Sequence, residues 1–378
     1  RGMLLWNTRR SGFNVKKFVA NQIDITANSG KNTRYLSEEM SAYKKARWIG
    51  WNTTKEDGSG LFGRHAQRQT IIAGLKSAVD SNELLRDEET RNFTLLSAPG
   101  YPELTSNLIG LNVDRGLTGF VVADTPFRLQ PNATSLQNWG NNTAGATTDG
   151  EDGMVSYDEY MAAFYPSGLT TDVTGKNIVV PPSHMMLRTI AVSDAVSFPW
   201  FAPAGTRRGG ISNASSVGFI DSEGEFNAVA LNDGVRETMS GVKINPLTFI
   251  TGSGLVNFGQ HTRAKNASSL DRINVARLVA YLRRQMTLLA KPFMFEPNDK
   301  ITRDEIKQAT ESLLLELVGQ RALYDFLVVC DDTNNTPARI DRNELYVDVA
   351  IEPVKSVEFI YIPLRLKNTG EIATLGNQ

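Results

Sequence analysis

Ser356-Val357-Glu358-Phe359-Ile360-Tyr361-Ile362-Pro363-Leu364-Arg365-Leu366 is a run in which both alternating sets of residues are largely apolar. In an extended segment alternate side chains share a face, so Val357, Phe359 and Tyr361 lie on one side and Ile360, Ile362 and Leu364 on the other. A strand apolar on both faces needs cover on both. Pro363 cannot donate to a ladder, which confines it to an edge or a strand end. A doubly apolar edge strand just before a polar terminus invites aggregation unless something pairs with it. Two readings follow. The run is an ordinary strand of this chain's own sheet, or it enters a sheet of another copy, where backbone bonds give affinity and alternating pockets give specificity. The second reading assigns Val357, Phe359, Ile360, Tyr361 and Ile362 to an inter-subunit strand.

The elements upstream are legible by period. Leu345–Ile351 alternates, with Leu345, Val347, Val349 and Ile351 on one face, and Leu323–Cys330 is mostly apolar, so both read as strands. A helix is expected from about Asp271 to Leu289, capped by Ser268 or Ser269, with Val275, Val279, Leu282, Met286 and Leu289 as its apolar stripe. Thr302 and Glu305 have capping-box spacing for a second helix, lined by Ile306, Ala309, Leu313 and Leu317 and stopped by a left-handed Gly319. Arg277, Arg284 and Lys291 recur every seven residues. They read either as a solvated face opposite the core stripe or as a basic stripe that docks an acidic partner.

Towards the N-terminus, His65–Leu85 reads as an amphipathic helix, while Phe93–Leu96 and Gly119–Ala123 read as short strands. Helices alternating with short buried strands give a mixed α/β class, a central sheet flanked by helices. Residues 131–155 are rich in Gly, Asn and Thr and read as a polar loop or insertion. It separates an N-terminal α/β region, 1–130, from a middle region, 156–266. A C-terminal α/β assembly domain, 267–378, ends in a terminal arm, with exchange of terminal strands between copies expected.

Bulk properties exclude several classes. A chain of 378 residues, 41% hydrophobic with a formal net charge of −1, is globular and lacks the basic excess that nucleic-acid or membrane-surface binding favours. No apolar run reaches membrane-span length. Cys330 is the single cysteine, so neither an intrachain disulfide nor a cysteine-based zinc site can form. Gly58-Ser59-Gly60-Leu61-Phe62-Gly63 has the spacing of a dinucleotide loop, but a polar turn precedes it where a buried strand is required. Thr148–Glu159 resembles a calcium loop with Gly153 at the sharp turn, yet Thr148 and Gly150 occupy ligand positions and leave too few hard oxygens. His65, His184 and His261 lack metal-ligand spacing, and Ser183-His184 with Asp194 lacks a nucleophile elbow. No catalytic, cofactor or metal set emerges.

Several blocks then carry a resemblance. Asp271-Arg272-Ile273-Asn274-Val275-Ala276-Arg277-Leu278, Phe295-Glu296-Pro297-Asn298, Val329-Cys330-Asp331-Asp332-Thr333-Asn334-Asn335-Thr336-Pro337 and Ile340-Asp341-Arg342-Asn343-Glu344 follow one another across the last hundred residues. In that order they resemble the tail sheath proteins of contractile-tailed bacteriophages. Val180-Pro181-Pro182-Ser183 and Ala202-Pro203-Ala204-Gly205-Thr206-Arg207-Arg208-Gly209 add to the likeness, which runs from near Tyr157 onward. The resemblance implies a structural, non-enzymatic subunit without cofactors, placed in the virion tail and assembled in the host cytoplasm. Such subunits polymerise as helices or stacked rings around an inner tail tube, contact baseplate and tail terminator proteins, and contract to drive the tube through the host envelope. Terminal arms adding strands to neighbours' C-terminal domains would make Val357–Ile362 such an arm, and Arg277, Arg284 and Lys291 a tube-facing set. No counterpart of the family's N-terminal arm precedes Met3, so a C-terminal fragment of a longer chain is expected, with a divergent arm in Gly2–Ile25 as the other option. The alternatives are the sheath of a bacterial contractile injection system and, from other classes, a nucleotide-binding α/β enzyme using Gly58–Gly63 or a calcium-dependent binding module.

Overall fold

The computed structural model describes residues 62–221 and 224–358. Ten helices run in chain order: α1 Phe62–Asp80, α2 Glu83–Arg86, α3 Thr105–Asp114, α4 Ala133–Gly140, α5 Pro182–Val196, α6 Gly205–Arg208, α7 Asp233–Gly241, α8 Ile273–Ala290, α9 Lys300–Gly319 and α10 Pro337–Ile340, all among the described residues. The strands are β1 Leu95–Leu96, β2 Phe120–Asp124, β3 Met161–Tyr165, β4 Ser167–Thr171, β5 Asn177–Val180, β6 Ser216–Ile220, β7 Phe226–Ala228, β8 Ile244–Ile250, β9 Gly254–Asn257, β10 Leu323–Val329 and β11 Asp348–Pro353. The class is mixed α/β, as the residue pattern implies.

The main sheet has the order β1-β2-β3-β8-β9. β1, β2, β3 and β8 are parallel, and β9 joins antiparallel at the edge. β2 (FVVAD) and β3 (MAAFY) are buried at every position, because helices cover both faces of a parallel sheet. Their alternation sorts into two cores. Val121, Ala123, Met161, Ala163 and Tyr165 face a core completed by Leu108, Leu136 and Trp139. Phe120, Val122, Ala162 and Phe164 face one built with Met185, Met186 and Ile190 of α5 and Ile273, Ala276 and Ala280 of α8. Beyond Tyr165 the chain passes through Pro166 into a four-stranded antiparallel sheet, β5-β4-β6-β7. At the end of β2 the buried Asp124 accepts from Gly100 N (2.7 Å), Ser183 N (2.6 Å) and Ser183 Oγ (2.8 Å), tying the sheet to the start of α5. Burial pushes its carboxyl up to about 6 against the pull of those bonds.

A third core joins this body to the C-terminal unit. Leu278 and Leu282 of α8 meet Leu314 and Leu317 of α9, together with Trp200, Leu323 and Val328. Alanines at 276 and 280 let one side of α8 approach the sheet closely, while leucines at 278 and 282 fill the space towards α9. One helix thus belongs to two cores.

Four expectations need correction. Residues 131–155 are not a plain loop. Asn132 caps α4 by accepting from Ser135 N (2.7 Å), and Leu136, Trp139 and Met154 are buried in the first core. A Cβ at Gly140 would lie 2.8 Å from Val242 Cβ, so the end of α4 packs directly on the side chain that follows α7. The N-cap of α9 is Asp299, which accepts from Thr302 N (2.9 Å), one turn position earlier than the Thr302–Glu305 box. Past α9 the left-handed residue is Arg321 (φ 63°), while Gly319 closes the helix. On α1, read from the sequence as an amphipathic helix, Ile72 is buried, but Ile71 and Leu75 are exposed.

Candidate assembly surface

β10 and β11 form a two-stranded antiparallel sheet with no further strand on either edge among the described residues. The pairing sets Phe326 against Ile351 and Val328 against Val349 on the inner face, which packs on α8 and α9. The outer face pairs Asp325 with Glu352, Leu327 with Ala350 and Val329 with Asp348. Leu327 is 62% exposed and Tyr324 66%. Two strands alone are marginal in water, and each open edge is a template for another strand.

The loop between the strands is held by its own amides. Asn334 Nδ2 donates to Val329 O (2.7 Å) and Asp348 Oδ2 (2.9 Å). Asn335 donates to Tyr346 O (2.9 Å) and accepts from Tyr346 N (2.7 Å), standing in for a strand residue. Asp331 accepts from Thr333 N and Oγ1, which holds its carboxyl below the usual range. The turn formers of 331–337 therefore fix the hairpin loop, so that the edges are presented rigidly.

Past β11 the chain is pinned before it leaves. Val354 N donates to Ala322 O (3.0 Å) and Asn274 Nδ2 to Val354 O (3.3 Å). Gln260 reaches Ser356 and Glu358, and Arg272 grips Glu358 with two nitrogens, Nε to Oε1 at 2.5 Å and Nη2 to Oε2 at 2.9 Å. Burial alone would raise the Glu358 carboxyl, but the bonds from Arg272 and Gln260 and the guanidinium charge outweigh it and hold it low. His261 is lowered by burial and then by Arg272, whose Nη1 lies 3.1 Å from its Nδ1. Between these anchors Val357 is 78% exposed and belongs to no strand. Phe359, Ile360, Tyr361 and Ile362 lie outside the described residues, as do Ser59, Gly60 and their neighbours before Phe62.

The basic stripe does not survive as a solvated face. The Arg277 side chain is only 4% exposed and pairs with Asp194 of α5. Arg284 is half-buried, and Lys291 is exposed and pairs with Glu89 at 2.7 Å. The heptad spacing is real, but at the start of α8 the face is covered, so Arg277 meets α5 instead of water. Asp194 is thereby engaged away from Ser183, whose hydroxyl donates to Asp124. In the calcium-like loop Asp149 is buried and accepts from Val155 N (2.7 Å), Ser156 N (2.8 Å) and Ser156 Oγ, a carboxylate turned inward on its own loop. Sequence reasoning missed the Gln260–Arg272–Glu358 anchor, because its members come from stretches far apart in the chain and Gln260 belongs to none of the quoted ones.

Residues 265–367 match the family described as phage tail sheath C-terminal domain. The tail sheath protein of Vibrio phage KVP40 is 36% identical over 185 residues, 49% of this chain and 26% of that protein. That of Enterobacteria phage T4 is 29% identical over 263 residues, 70% of this chain and 36% of that protein. The chain thus spans about a quarter to a third of the length of the relatives it matches. Among solved structures, the sheath complex of an extracellular contractile injection system (PVC) in its contracted state superposes with a TM-score of 0.60 at 21% identity. The match covers 80% of this chain and 75% of that one, a likeness of fold.

Proposed function

Since the chain belongs to the phage tail sheath family through residues 265–367, we propose that it is a structural subunit that polymerises helically around an inner tail tube and contracts to drive that tube through the host envelope. The observation that carries this reading is the β10–β11 sheet, with one face covered by its own helices and both edges open. Residues 359–362 have the sequence such an edge calls for, a run that would be apolar on both faces if it paired as a strand. Strand addition to a neighbour is a contact between two different surfaces. Repeated without closure, it builds a helix. The nucleotide-enzyme alternative draws no support from relatives named for a tail sheath.

The relatives that share sequence are phage proteins, which favours a virion tail over a bacterial injection apparatus as the setting. Within this reading baseplate and tail terminator proteins are the partners at the two ends. Of the basic stripe, Arg284 and Lys291 remain able to face a tube. Arg277 does not, since it is spent on Asp194.

Replacing Phe359 and Ile362 by Asp puts a charge on each face of the exchanged segment. The expected result is a folded, soluble monomer with unchanged circular dichroism and no polymers in electron micrographs. Polymers of normal length from the double variant would reject the reading.

A further inference from the structure

The outer face of the β10–β11 sheet is acidic, and nothing in the described chain answers it. Of its six outward positions three are carboxylates, Asp325, Asp348 and Glu352, and none is basic. Asp325 and Glu352 stand directly opposite each other, both exposed. Like charges in that register weaken a strand pair. Neither has an ionic partner among the described residues, whereas Asp348 is at least bonded to Asn334. The sheet therefore carries a repulsion that its own unit leaves in place.

The segment that leaves this sheet has the complementary pattern. Ile360, Ile362, Leu364 and Leu366 share one face of an extended run, and Phe359, Tyr361, Pro363, Arg365 and Lys367 share the other. Laid on a sheet edge with its aliphatic face continuing the inner core, the run puts its other face on the acidic side. That face has two bases and no acid. Because Asp325 and Glu352 are opposite each other, a strand added at either edge passes within one strand spacing, about 4.8 Å, of one of them. Pro363 suits the outermost position that an added strand takes.

We propose that segment 359–367 of a second copy docks on an edge of the β10–β11 sheet in the register that brings Arg365 and Lys367 to the acidic Asp325–Glu352 pair, beside the member on that edge strand. The like-charge pair then selects the arm: an unoccupied sheet is destabilised, and an arm of the wrong parity buries Arg365 and Lys367 against the core. This rests on the strand-exchange reading above and adds its electrostatic register.

The test compares three forms of the full chain by sedimentation and electron microscopy at low and high salt: Asp325→Lys with Glu352→Lys, Arg365→Glu with Lys367→Glu, and all four changes together. Either pair alone is expected to raise the critical concentration for polymerisation about tenfold at low salt, with the monomer's melting temperature unchanged. High salt should narrow the difference, and the four changes together should restore polymerisation to near the wild-type level. If the sheet pair lowers the melting temperature, the arm pair alone decides. Wild-type polymerisation by the arm-pair chain, or a fourfold chain as poor as its parents, overturns the charge register while strand exchange stands. A wild-type chain that never polymerises overturns both.

Discussion

Glu358 marks the last described point before the exchanged segment, and its surroundings decide how that segment leaves. Arg272 and Gln260 hold it by three bonds of 2.5 to 3.0 Å. The carboxyl is held below the ordinary glutamate value of 4.5. A depressed carboxyl stabilises the docked state fully above its unfolded value, and that contribution fades as pH falls through the folded one. The root of the arm should therefore be protected from hydrogen exchange at neutral pH and lose protection at acid pH, below about 4.5. Glu358→Gln should show the loose, acid-like exchange across residues 354–358 already at neutral pH, with the rest of the chain unchanged. Equal protection in the variant and the wild type would remove Glu358 from this role. Nothing in the local sequence announces the anchor: Ser356-Val357-Glu358 reads as the start of a strand, and only the fold brings Gln260 and Arg272 to it.

At the scale of elements, α8 is the piece that connects the assembly surface to the body. Ile273, Ala276 and Ala280 face the main sheet, Leu278 and Leu282 face α9, and Arg277 reaches Asp194. Ala280→Leu has no room for its added carbons between α8 and the sheet and should cost about 1–3 kcal/mol in urea unfolding. Leu288→Ala, at a half-exposed position near the helix end, should stay within about 0.5 kcal/mol. Similar costs for the two would mean that α8 is not gripped between two cores.

The elements also show what the sequence makes legible. β10, α8 and α9 were readable because their apolar residues recur at the right period over long stretches. α4 was not, because Leu136 and Trp139 are its only large buried apolar residues, set in a run of Asn, Gly and Thr, and two anchors give no period. The Thr302–Glu305 box misplaced a boundary because Asp299, one position ahead of the helix, is the residue that caps it, accepting from the N–H of Thr302. Arg321 holds the left-handed turn expected of Gly319 because the chain overshoots the helix by one residue, Gln320, before turning back into β10. Arg277 departs from the stripe it shares with Arg284 and Lys291 for a different reason. Periodicity reports that residues share a face, but not whether water or another helix lies over it.

On the scale of the whole molecule, the described chain is a well-packed body carrying one unfinished sheet. The body satisfies its parallel sheet with helices on both faces, and the second sheet is antiparallel and continuous with it through Tyr165–Pro166. Only the β10–β11 pair stops at two strands with apolar and acidic residues in solvent. A near-neutral chain, with 40 basic and 41 acidic residues, gains association less from its net charge than from where those charges face.

The decisive measurement is a cryo-electron microscopy reconstruction of the polymer at a resolution that separates strands. It should show residues 323–329 and 348–353 as the inner part of a wider sheet, with 359–362 of an adjoining subunit hydrogen-bonded along one edge. A polymer in which this sheet still has two strands, and each subunit's 359–362 folds back on its own body, would contradict the account.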